Sequence, residues 1–164
     1  MKITLAVVGK IKEKYWTLAI DEYVKRLSRY ASVQICQTAD EPTPDRDSAV
    51  QEKQIRDREG ERLLKEISRY DHAGDVRVIA LAIDGRSYDS VAFSRHLEEL
   101  QVNGYSHVIF IIGGSLGLSE AVLRRADEKL SFSAMTFPHQ MMRVILLEQI
   151  YRAQRISHNE PYHK

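Results

Sequence analysis

One cysteine, Cys36, is all the chain has, which excludes an internal disulfide and fits a reducing cytoplasm. No apolar run approaches the roughly 20 residues that a membrane helix needs, so no membrane partner is expected. The opening Met1-Lys2-Ile3-Thr4-Leu5-Ala6-Val7-Val8-Gly9-Lys10 has a single lysine before an apolar run too short for a secretory leader, and it lacks a convincing cleavage site. It reads instead as a first strand. Repeats and low-complexity stretches are absent. So is a strong charge of either sign: 24 Lys and Arg stand against 23 Asp and Glu, and aromatics make up 8%. Such a chain cannot hold RNA tightly by charge alone.

The charge that is present is unevenly placed. Residues 1–30 carry seven Lys or Arg against three acids, residues 31–137 thirteen against eighteen, and residues 138–164 four against two. If both basic ends fold onto one face they make a modest positive patch, to which His139, His158 and His163 add when protonated. The length of 164 residues suits one domain with a sizeable core.

Along the chain, apolar runs alternate with helical spacing. Residues 3–8, 32–38, 76–83 and 108–112 read as strands. Residues 13–30, 89–102, 119–130 and 139–156 read as helices, and Ser48 is placed to cap another. That additional helix, with Val50, Ile55, Leu63, Leu64 and Ile67 as a thin apolar stripe, is expected at the periphery. Residues 40–47 form an acidic loop with two prolines, and Asp84-Gly85-Arg86-Ser87 is a turn by composition. The pattern predicts an α/β fold with a mostly parallel sheet flanked by helices. The last helix is apolar over more than one face, for which a subunit interface is the economical explanation.

The stretch His107-Val-Ile-Phe-Ile-Ile-Gly-Gly-Ser-Leu-Gly-Leu118 organises the rest. A continuous β-branched run marks a strand buried on both faces, and Gly113, Gly114 and Gly117 at its carboxyl end make the floor of a small-molecule site. The spacing Gly-Gly-x-x-Gly matches neither the dinucleotide fingerprint nor a phosphate loop. That counts against a nucleotide-dependent oxidoreductase. A structural turn without a ligand remains the alternative on these residues alone.

Two further stretches narrow the choice. Leu130-Ser-Phe-Ser-Ala-Met-Thr-Phe-Pro-His-Gln-Met-Met-Arg143 and the tail Asn159-Glu-Pro-Tyr-His-Lys164, with Ile-Gly-Gly-Ser-x-Gly-Leu, resemble the RlmH family, formerly YbeA, small methyltransferases of the SPOUT superfamily. The resemblance covers the whole chain. It implies a single SPOUT domain over residues 1–164 with a C-terminal trefoil knot, whereas the rule that chains avoid threading loops gives an unknotted sheet. It implies transfer of a methyl group from S-adenosylmethionine to N3 of a pseudouridine in 23S ribosomal RNA within the assembled ribosome, by a homodimer. It also implies cofactor contacts at Leu81, Gly113, Phe132, Ser133, Ala134, Met135, Thr136 and Phe137.

Displacement at a sulfonium requires nucleophile, methyl and sulfur held in line. N3–H of pseudouridine must lose its proton to become a good nucleophile, so a base or a cation beside the anion helps. Tyr162, His163 and Arg143 are the candidates, with His139 and Lys164 behind them. The resemblance implies that the tail of one subunit reaches the cofactor site of the other. Arg143, Arg152, Arg155 and Lys164 are candidate RNA-phosphate contacts, with Lys10, Lys12 and Lys14 as a second cluster. His158 and His163 on a tail without a cysteine make a poor metal site, so no metal is expected.

Overall fold

Residues 1–46 and 48–164 are described by the computed structural model; Asp47, the last residue of the expected acidic loop, lies outside them. The β-branched run in the middle of the sequence forms the middle of the sheet. Among the described residues, the parallel strands β1 (Lys2–Val8), β2 (Ser32–Thr38), β3 (Val76–Ser87), β4 (His107–Ile112) and β5 (Glu128–Ser131) lie in the order β2-β1-β4-β3-β5. β4 is buried along its whole length, as a strand covered on both faces must be.

The alternation of side chains along the strands sorts the helices. Ile3, Leu5, Val7, Val108, Phe110 and Ile112 face α1 (Lys14–Leu27), α3 (Ser90–Val102) and α5 (His139–Ser157). Ala6, Val8, Ile109 and Ile111 face α2 (Ala49–Ile67) and α4 (Glu120–Arg125). No helix among the described residues is long and apolar enough to cross a membrane.

Four expectations need correction. The helix expected over residues 13–30 ends at Leu27. α2 is not peripheral: Ile55 is buried, Leu63 and Ile67 pack with Ala6, Val8 and Ile109 of the sheet, and Gly60, having no Cβ, lets Ser119 at the amino end of α4 come into contact. Three apolar side chains and one glycine seat this helix despite its charge. Its amino end is as expected, with Ser48 Oγ accepting from the Gln51 N–H at 3.2 Å and Gln51 Oε1 from the Ser48 N–H at 2.9 Å.

The helix expected over residues 119–130 stops at Arg125, and Glu128–Ser131 pair with β3 instead. Local helix propensity there loses to tertiary partners. Asp127 accepts the Val78 N–H at 2.7 Å, and Glu128 pairs with Arg77 at 3.2 Å. Residues 84–87 are likewise strand rather than turn. Leu81 and Arg86 both pair with Leu130, so residues 82–85 loop out as a bulge. A Cβ on Gly85 would lie 2.7 Å from the Lys129 and Leu130 carbonyl carbons, so only glycine lets the two strands rejoin.

His107, at the start of β4, is buried and hydrogen-bonded to Thr4 Oγ1 at 2.8 Å, with Tyr70 edge-on at 4.8 Å. Burial, aided by the Lys2 charge, holds the imidazole below its ordinary value of 6.5. The unfolded chain therefore takes up this proton first, and stability falls as pH drops below 6.5 until native His107 itself titrates. Urea midpoints at about pH 7.5 and about pH 5.5 should show a loss for the wild type that shrinks in His107→Gln.

Candidate cofactor cleft and tail

The carboxyl ends of β3, β4 and β5 open into a cleft of about 890 Å3, the place where an open parallel sheet collects ligands. It straddles the sheet edge. α2 contributes Glu52 and Arg56 from one face, and the start of α5 contributes His139, Gln140 and Met142 from the other. Between them lie residues 113–118 after β4, the bulge after Leu81, and residues 130–138 leading into α5.

Each segment is shaped by a local constraint. Gly113 is buried, and a Cβ there would meet Gly117 C and O at 2.7 Å. Gly117 has φ +83, and its N–H closes the turn onto Gly114 O at 3.1 Å. The segment after β5 holds itself: Ser131 Oγ donates to Ser133 O at 3.2 Å, and Ser133 Oγ accepts the Met135 N–H at 3.0 Å. This turns Met135, 72% exposed, and Phe137, 37% exposed, outward beside Ile83, 57% exposed. Large apolar side chains left open around a cleft are an apolar wall awaiting a ligand.

Of the residues singled out in the sequence, Leu81, Gly113, Phe132, Ser133, Met135, Thr136 and Phe137 line this cleft; Ala134 lies in the same segment without lining it. Sequence reasoning missed Glu52, Arg56, Gln140 and Met142. The Glu52–Arg56 spacing of one helical turn was visible, but an ion pair one turn apart is ordinary on any solvated helix. Only the packing of α2 brings it to the cleft, where the two groups stand 3.8 Å apart.

The tail lies elsewhere on its own chain. Tyr162 packs edge-on against Tyr151, with centroids 5.0 Å apart, and its O–H donates to Glu148 Oε1 at 3.0 Å. Burial first, then the Glu148 hydrogen bond, pushes this phenol up to about 12, so it acts as a hydrogen-bond donor and not as a base. Arg152 pairs with Glu148 at 2.5 Å, lies over the Tyr162 ring at 4.7 Å and reaches His163 Nδ1 at 3.5 Å. Arg155 pairs with Glu160 at 2.5 Å and donates to Pro161 O at 2.9 Å. Both arginines thus fasten the tail, and their guanidinium groups are largely committed to acids. Lys164 is exposed. None of the tail residues lines the cleft.

Arg143 requires a correction. It is 0% exposed, with Nη2 donating to Val8 O at 2.7 Å and Gly9 O at 3.0 Å. Burial pushes it down to about 10. It ties α5 to the end of β1, lines no part of the cleft and offers no N–H at the surface for a phosphate or a reacting base. The helical pattern could not show which side of α5 the last carbonyls of β1 would occupy.

Residues 1–163 match the family described as "Predicted SPOUT methyltransferase". The chain belongs to the SPOUT methyltransferases. Its similarity to proteins named Ribosomal RNA large subunit methyltransferase H runs the full length of both chains, at 56% identity for that of Bifidobacterium adolescentis and 54% for that of Clostridioides difficile. A solved probable methylase family protein from Haemophilus influenzae Rd KW20 shares the fold at TM-score 0.53 and 13% identity, over 99% of this chain and 70% of its own. In a methyltransferase, a cleft with an apolar wall and glycines that admit the main chain is suited to a flat heterocycle joined to a sugar.

Proposed function

We propose that this methyltransferase transfers a methyl group from S-adenosylmethionine to N3 of a pseudouridine in 23S ribosomal RNA of the assembled ribosome, as a cytoplasmic homodimer with the knotted C-terminal half that its resemblance implies. The full-length similarity to proteins named Ribosomal RNA large subunit methyltransferase H carries the substrate. The cleft supports the cofactor: Leu81, Phe132, Met135 and Phe137 supply apolar contact for the adenine, and Gly113 gives the main chain access to the ribose.

The bound donor supplies an electrophilic methyl group. The chain's own residues position the acceptor and exclude water. Tyr162, its O–H held by Glu148, stacks on the target base or accepts a hydrogen bond from it, and His163 takes or shares the N3 proton. Both fold back along the second half of α5, with Tyr162 bonded to Glu148 at mid-helix. Glu148 is nine residues beyond His139, about 14 Å along the axis at 1.5 Å per residue, and the first turn of that helix lines the cleft. A tail held near Glu148 and Tyr151 is poorly placed to serve its own cleft, and a second copy can bring one to it. Lys164, with Lys10, Lys12 and Lys14, is a basic set for phosphates, whereas Arg152 and Arg155 pair with Glu148 and Glu160 and hold the tail in shape.

The test is methyl transfer from labelled donor to ribosomes that lack the modification, with the product mapped by mass spectrometry. A single N3-methylated pseudouridine in 23S rRNA is the expected product. Label on protein, on 16S rRNA or on no RNA overturns the reading.

A further inference from the structure

Glu59 lies in the middle of α2 and is 4% exposed. One carboxylate oxygen, Oε1, accepts the Glu41 N–H at 3.0 Å and so draws the connection between β2 and α2 down onto the helix. The other, Oε2, is fully enclosed and has no hydrogen-bond partner among the described residues. A buried acceptor without a partner is unfavourable, so its retention calls for a physical reason.

The neighbour of that oxygen is the glycine loop. A Cβ on Gly114 would lie 2.8 Å from Glu59 Oε2 and 3.2 Å from Oε1, so glycine is what allows the loop to rest on the carboxyl group. Thr43 Oγ1 and Ser115 Oγ are 3.3 Å apart, joining the same connection to the loop a second time. Glu59 is thus the point where the connection, α2 and the loop beneath the cleft converge. The charged groups around it are Asp40 and Glu41 on the connection and Arg62 on α2. Val8 of β1 stands beside Gly114, and Ser119 at the amino end of α4 stands beside Gly60, the residue after Glu59.

We propose that Glu59 is a positioning residue for the methyl donor: its unpartnered Oε2 accepts a backbone N–H of the residue 113–117 loop as that loop closes on the donor, locking Gly113 in place. This rests on the cofactor reading given above. One consequence is measurable in protons. Burial raises Glu59 above its ordinary carboxylate value, with Asp40 adding to the rise and the Glu41 N–H and Arg62 opposing it. An added N–H on Oε2 favours the charged form. Donor binding therefore releases a proton over the pH range between the bound and free values, and affinity rises with pH across it.

Calorimetric titration of S-adenosylmethionine into the full chain, in two buffers of different ionisation enthalpy, tests this. The wild type should release protons at mildly acidic pH. Glu59→Gln keeps the shape and an acceptor for the Glu41 N–H but cannot titrate. It should release none and bind the donor about tenfold more weakly, while turnover at saturating donor stays near wild type. Wild-type affinity together with wild-type proton release in Glu59→Gln overturns the proposal. If that variant does not melt cooperatively, Gly114→Ala decides. Its Cβ pushes Oε2 off the loop, so proton release should vanish; release at the wild-type level overturns the proposal. Failure of the wild-type chain to bind the donor would sink the cofactor reading itself, a different result.

Discussion

A chain truncated before His158 loses methyl transfer by more than about 10^3-fold, since both the orienting contact and the proton acceptor depart together. Donor affinity stays within about threefold, a difference below 1 kcal/mol. The two effects separate because no residue of the tail lines the cleft of its own chain. The tail's contacts, Glu160 with Arg155 and Arg29, and Tyr162 with Tyr151 and Glu148, lie along the second half of α5 and the end of α1. Removing them exposes a surface ion-pair cluster without opening the core. Single-turnover transfer to ribosomes measures the first effect and equilibrium titration the second. Retained transfer would remove Tyr162 and His163 from the reaction. Mixing the truncated chain with one whose cleft is disabled should restore activity if the tail is supplied by the second subunit, and leave it absent if each chain serves itself.

Gly113→Ala is the change that disables the cleft. It should weaken donor binding about 100-fold, near 3 kcal/mol. The new Cβ would lie 2.7 Å from both the carbonyl carbon and the oxygen of Gly117 and 3.1 Å from Leu118 Cδ2. Main chain cannot rotate away as a flexible side chain can, so the turn under the cleft must open or shift. Gly117→Ala makes an informative contrast. Nothing lies within 4 Å of its Cβ position, and the strain comes only from φ +83, a cost of about 1–2 kcal/mol. The wider loss at 113 than at 117, read by donor titration on two folded variants, checks that space and not backbone strain sets the loop. Equal losses would refute that account.

Some of this site was legible before any coordinates. The glycine loop was legible as the floor of a site, although a structural turn fitted the same residues, and Leu81 and the segment at 132–137 were singled out by the family resemblance; all but Ala134 line the cleft. β5 was not. Asp127 and Glu128 look helical in isolation, and the chain turns into strand at Glu128 only through Val78 and Arg77, about 50 positions away in the chain. Arg143 was misjudged for the same reason: its partners, Val8 O and Gly9 O, belong to the first strand.

By itself the sequence determined the fold class and the central position of β4, since these follow from the period and composition of neighbouring residues, while Leu81 and residues 132–137 were singled out by the family resemblance. The family followed from motifs that are contiguous in the chain. Only the tertiary structure decided that α2 lies across the second face with Glu59 under the glycine loop, that the tail rests away from its own cleft, and that Arg152 and Arg155 spend their charge on Glu148 and Glu160. Burial and hydrogen-bond partners are set by residues distant in the chain, and local pattern carries no information about which of them will meet.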